Sequence, residues 1–213
     1  MIIVGAKGFA KEVLQVLYAD LGLADDKIVF FDDVSNDLPE KLYNRFLVLK
    51  AMDEVKMYMK STGDKEFVLG IGNPVHRKAL YDKFVGVGAI PVTTISKKAE
   101  KGDFDVSIGA GTNVMSGTII TNSVVIGKGC LINLNCTVAH DCIIGDFVEV
   151  SPNVNISGRC KIGNNSSIGT NAILIPDVII GENVIVGAGT LVLKDVPNNC
   201  TIVGVPGKII KGK

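Results

Sequence analysis

The chain has 213 residues, 47% of them hydrophobic, and its 22 Lys+Arg are balanced by 22 Asp+Glu. That balance supplies no long-range field to attract nucleic acid or an anionic membrane surface. No stretch reaches the roughly 18 apolar residues of a membrane span, and the opening MIIVGAKG lacks the charged segment and apolar length of a signal peptide. The expectation is a cytoplasmic protein, without membrane insertion, whose apolar residues fill a core.

The first ninety residues alternate strand and helix. IIVGA (residues 2–6) reads as a buried strand, followed by a glycine turn and the helical pattern FAKEVLQVLYAD. KIVFFDD (27–33) is a second strand ending in carboxylates, MDEVKMYMK is helical, EFVLGIG (66–72) is a third strand, and NPVHRKALYDKF is another helix. Such alternation indicates a small parallel α/β unit. Ligands of these sheets sit at the carboxyl ends of the strands, which here carry Lys7-Gly8-Phe9, Asp32-Asp33 and Gly72-Asn73. GAKG falls short of a full GxGxxG, so a plain tight turn and a nucleotide-binding turn both remain open. Asp32 either binds a ribose hydroxyl or ends its strand in solvent. His76 reads as an ordinary surface or boundary residue of its helix.

A repeat follows. From Ile108 to Val192 an aliphatic residue recurs at every sixth position, fifteen times without an insertion. Two residues before each the side chain is small, as at Thr112, Cys130, Cys136, Cys142, Cys160 and Ala172. Positions two apart share one side of an extended segment, so each hexapeptide is a short strand with two inward side chains and a turn. Gly109, Gly127, Gly145, Gly163 and Gly181 are spaced by eighteen, marking a recurring corner. Three hexapeptides therefore make one coil of a triangular parallel β-helix of about five coils. Four of the five cysteines fall on inward positions, where buried cysteine acts as a small hydrophobe. No CxxC pair suggests zinc, and no metal site is expected.

Within the repeat, NLNCTVAHDCIIG (133–145) places His140 at an outward-facing turn. A solvated corner histidine is one reading. The other is a general base, with Asp141 supporting the imidazole. Gly158, eighteen residues on, would leave room for a reacting group and offer its N–H to an oxyanion. Imidazole ordinarily titrates near neutral pH, which suits a base that takes a proton from an attacking amine or hydroxyl.

These residues together resemble one family along essentially the whole chain. GAKGF, then "DD", then "IGN", then the hexapeptides with HD before CIIGD, are similar to the sugar O-/N-acyltransferases. That group includes bacterial nucleotide-activated 4-amino-sugar N-acetyltransferases and sialic-acid O-acetyltransferases. The resemblance implies a Rossmann-like domain over residues 1–90, a connecting segment over 91–107, a left-handed β-helix over 108–196, and a tail near coenzyme A over 197–213. It implies acetyl-CoA as co-substrate, a homotrimer with clefts between subunits, and a nucleotide-sugar acceptor held by Lys7, Gly8, Phe9, Asp32, Asp33 and Gly72. His140 would be the base, Asp141 would increase its basicity, and Asn133 would share the catalytic site with Gly158. Glu149, Thr170 and Ala188 would contact acetyl-CoA. Phe9 stands where many relatives have histidine, and Glu149 where some relatives do.

Other readings compete. A sialic-acid-type O-acetyltransferase shares both domains and the base. A zinc β-helix hydratase needs three histidine ligands per site, and the chain has two histidines. A non-catalytic β-helix scaffold remains, since fold alone does not give function. An ice-binding helix would show outward threonine ladders, and none runs along these coils.

Overall fold

The computed structural model describes residues 1–212. The amino-terminal elements are β1 (Ile2–Val4), α1 (Gly8–Gln15), β2 (Val29–Phe31), β3 (Lys41–Leu42), β4 (Phe46–Leu49), α2 (Met52–Thr62), β5 (Glu66–Leu69), α3 (Pro74–Gly86) and β6 (Ile90–Pro91). They build one sheet in the order β3-β4-β2-β1-β5-β6, parallel throughout except for the β3–β4 pair. Every residue of β1 and β2 is buried, as expected where both faces of a parallel sheet are covered. Ile3, Phe30 and Val68 pack with Ala10, Val13 and Leu14 of α1 on one face. Ile2, Phe31, Phe67 and Leu69 pack with Val55 and Met59 of α2 and Phe84 of α3 on the other. The β3–β4 hairpin was not foreseen from the sequence. Its signal is the apolar run FLVL, preceded by Tyr43 and Asn44, which take φ of 53° and 54° at a tight turn.

From Thr94 to Val203, strands of two or three residues wind into three parallel sheets of a left-handed β-helix. Val114 lies beside Ile132, and Ile132 beside Val150, so residues eighteen apart stack. The inward aliphatic and small side chains form one continuous buried cluster from Val114 to Ile202.

The helix extends beyond the unbroken hexapeptides at both ends. Thr94–Ile95 and Glu100–Lys101 already pair with Asn113–Val114 and Ile119–Ile120, at an offset of nineteen residues. One extra residue in the first coil thus breaks the six-residue count, and the connecting segment is itself coil. At the far end Val186 pairs with Ile202 at an offset of sixteen, and Lys208–Lys211 folds back antiparallel on Thr201–Val203. The tail is part of the sheet.

The spaced glycines have a different cause from the one inferred. Gly109, Gly127 and Gly163 do not take positive φ. A Cβ on Gly109 would lie 2.5 Å from the Gly127 carbonyl carbon, and one on Gly163 would lie 2.6 Å from Glu182 N. Close approach of successive coils demands glycine there. The left-handed residue of each corner comes two positions later and is mostly Asn, Asp or Gly, including Asn135, Asp141, Asn153, Asn165, Asn171 and Asn183.

The inward cysteines are also more than small hydrophobes. Cys130, Cys136, Cys142 and Cys160 donate S–H to the carbonyl fifteen residues on, at 3.0 to 3.2 Å. Thr112, Thr118 and Ser166 donate O–H in the same pattern. Each small polar residue thereby satisfies a corner carbonyl of the next coil. Among the described residues Thr190 Oγ1 is the buried exception without a partner. Its fifteenth successor, Val205, lies outside the coil and is 72% exposed. All five cysteines are free thiols.

Candidate active site

A cavity of about 700 Å³ opens at the carboxyl ends of β1, β2 and β5. Lys7, Gly8, Phe9, Asp32, Asp33 and Gly72 all line it, joined by His76 and Lys83 from α3. His76 is therefore a cavity residue rather than an ordinary surface position. The signal was its place in the first turn of a helix that starts at a strand's carboxyl end.

The two carboxylates differ in their work. Asp32 accepts from Ser35 N at 2.8 Å, Val34 N at 3.2 Å and Ser35 Oγ at 3.2 Å, so it shapes the loop after β2. Asp33 pairs with Lys83 Nζ at 2.6 Å across the cavity wall. Lys7 pairs with Asp37 at 2.8 Å and holds that carboxyl below its usual range. No side chain caps α1, which leaves its first-turn N–H groups open toward the cavity, an arrangement suited to a phosphate.

Arg77, in α3, is completely buried where this sheet meets the β-helix. Its Nε donates to Gly129 O at 2.8 Å, and Nη2 donates to Cys130 O at 2.8 Å and Asn113 Oδ1 at 2.9 Å. Nη1 donates to Ile71 O at 2.5 Å, in the cavity wall. Burial pulls the guanidinium down to about 10. Nothing in the sequence flags this residue, because HRK in a helix reads as solvated charge. Glu149 stands beside it: a Cβ on Gly72 would lie 3.0 Å from Glu149 Oε1. Burial pushes this carboxyl up.

His140 occupies a different corner. Its Nδ1 is 2.7 Å from Asp141 Oδ2, and both side chains are 56% exposed. Asp141 takes φ of 60°, the left-handed corner conformation that brings its carboxylate back to the preceding ring. The space over Gly158 is filled by the imidazole itself: a Cβ there would lie 2.7 Å from both Cε1 and Nε2 of His140. The expectation of an empty space for a reacting group is thus corrected, since glycine seats the histidine. Gly158 N donates to no protein group among the described residues.

Asn133 lies at the preceding corner and is buried, its Oδ1 accepting from Leu134 N at 2.7 Å. Thr170 and Ala188 stack on that same corner, eighteen residues apart, and Gly189 N donates to Thr170 O at 2.8 Å. Glu149 projects from the sheet leading into it. One chain therefore keeps His140, Asp141 and Gly158 on one corner, and the cavity, Glu149, Asn133, Thr170 and Ala188 on another side. Among the described residues no cluster of three or more His, Cys, Asp or Glu could hold a metal, and no helix is long and apolar enough to cross a membrane.

An α/β cavity followed by hexapeptide coils with an outward His–Asp pair defines a two-domain transferase. The PglD N-terminal domain model matches residues 1–84, and the bacterial transferase hexapeptide model matches residues 159–194. PerB from Caulobacter crescentus, solved in complex with CoA and GDP-perosamine, is 30% identical, with a TM-score of 0.84 over 99% of this chain and 96% of that one. WeeI from Acinetobacter baumannii AYE is 30% identical, with a TM-score of 0.88 over 98% of each chain. The acetyltransferase domain of PglB from Neisseria gonorrhoeae FA1090, in complex with acetyl coenzyme A, is 27% identical, with a TM-score of 0.85 over 98% of each chain. No curated protein matches significantly by sequence. The chain belongs to the bacterial sugar acetyltransferases of the hexapeptide-repeat family. It is an acetyltransferase.

Proposed function

We propose that the protein transfers acetyl from acetyl-CoA to the amine of a nucleotide-linked amino sugar. The observation that carries this reading is likeness along the full length: both the cavity domain and the β-helix match a perosamine N-acetyltransferase solved with CoA and GDP-perosamine. The cavity suits a nucleotide diphosphate, with the open amino end of α1 and Lys7 for the phosphates and Asp33 for a hydroxyl. Thr170 and Ala188, half-buried and exposed on stacked coils, form the surface along which acetyl-CoA lies.

His140 is the base. With Nδ1–H donating to Asp141, Nε2 holds the free lone pair and takes the proton as the sugar nitrogen attacks the thioester carbonyl. An exposed ion pair contributes little stability, so the role of Asp141 is orientation and tautomer. The unpaired N–H of Gly158, beside Nε2, supports the oxyanion. Collapse breaks the C–S bond, and the imidazolium returns the proton to the CoA thiolate. No thiol of the protein takes part, because all five cysteines are buried away from the His140 corner's surface.

Because His140 and Asn133 sit on separate corners, the complete site forms between neighbouring copies of a homotrimer. Thermal shift with UDP-, GDP-, dTDP- and CMP-linked sugars, with and without acetyl-CoA, tests the substrate class. Stabilisation by a nucleotide amino sugar and formation of its N-acetyl product are expected. Binding of none of these ligands would overturn the reading.

A further inference from the structure

Glu149 belongs to the outward ladder Asn113, Leu131, Glu149, Ser167 and Ile185 on one sheet of the β-helix. The amino-terminal domain covers the foot of this ladder. Asn113 and Leu131 are sealed at 0% and 1% exposure, while Ile185 is 54% exposed. Glu149 and Ser167 are half-buried, so Glu149 is where the cover ends. At that rim its Oε1 faces Gly72, the cavity wall residue on which any Cβ would lie 3.0 Å away.

The carboxyl is short of donors. Among the described residues its one protein donor is Ser167 Oγ, at 3.4 Å from Oε2. The nearby Arg77 guanidinium directs its N–H groups at carbonyls and Asn113 instead. An ionised carboxylate offers about four acceptor sites, and partial burial without partners is unfavourable unless something else supplies the donors. Beside the cavity mouth, the groups rich in donors are those of a bound sugar.

We propose that Glu149 is a specificity-determining residue of the acceptor site, its carboxylate accepting a hydrogen bond from a hydroxyl or amino group of the sugar as it passes Gly72. This assigns Glu149 to the acceptor rather than to acetyl-CoA. The inference rests on the acceptor reading above and deepens it.

The test is steady-state kinetics and binding for the full chain and its Glu149→Ala and Glu149→Gln variants. The probes are UDP- and GDP-linked 4-amino-4,6-dideoxyhexoses, the bare nucleoside diphosphates, and acetyl-CoA. Loss of one hydrogen bond to a charged group predicts a rise of about tenfold or more in KM for the amino sugar in Glu149→Ala, with partial recovery in Glu149→Gln. Binding of the bare diphosphate and KM for acetyl-CoA should stay within about twofold. An unchanged KM for the amino sugar, or a rise confined to acetyl-CoA, overturns the assignment while leaving the acceptor reading intact. If the parent binds none of the UDP-, GDP-, dTDP- and CMP-linked sugars, the acceptor reading itself fails, and the assignment with it.

Discussion

The imidazole of His140 rests on Gly158, one coil further along, so closely that a Cβ there would lie 2.7 Å from its Nε2. Gly158→Ala should therefore push the ring out of place. The expected outcome is a fall in kcat of about 10²-fold with little change in thermal unfolding, because the corner is exposed and the displaced group is a side chain. Turnover measured beside a melting curve separates displacement of the base from damage to the coil.

Asp141→Asn keeps the left-handed corner, which asparagine also adopts in this helix, but replaces the carboxylate that lies 2.7 Å from Nδ1. A smaller fall in kcat than for loss of His140 is expected, with KM for both substrates unchanged. Steady-state kinetics at fixed pH decide it. A loss equal to that of His140→Ala would mean that the carboxylate itself is indispensable to proton transfer.

Arg77 ties the cavity wall to the first coils through one buried guanidinium. Arg77→Met leaves several buried carbonyls without donors, so a loss of about 3 kcal/mol or more is expected. Chemical denaturation should show it as a lowered midpoint. The amino-terminal sheet should also become the more readily cleaved part in limited proteolysis.

The thiol ladder makes Cys136 exchangeable with the residue type at the equivalent place one coil earlier, Thr118. Cys136→Thr should melt near the parent, whereas Cys136→Ala, which orphans the Ser151 carbonyl, should lose about 1 kcal/mol. With all five thiols buried, alkylating reagent at pH 8 should leave the folded enzyme active.

How much was legible depended on whether a signal repeats. The inward aliphatic residues recur every six positions, so coil, stacking and the columns holding His140 and Gly158 could be read directly. The period was lost where one extra residue enters the first coil and where the last coil shortens, since Ile95 and Ile202 then fall out of step. Features that occur once were invisible. Arg77 looks like any charged helix residue until a second domain covers it, and His76 looks solvated until the helix is turned toward the cavity. The glycines were found correctly but for the wrong reason: spacing reveals a requirement without saying whether it comes from φ or from a neighbouring backbone.

In the proposed reaction His140 accepts the proton as acetyl passes to a nucleotide-linked amino sugar. The most direct measurement is single-substrate binding and turnover for His140→Ala, with the N-acetylated product and free CoA followed together. The kcat should fall by about 10²-fold or more while acetyl-CoA and the amino sugar still bind. Near-parental turnover by this variant would contradict it and return His140 to an ordinary exposed corner of the β-helix.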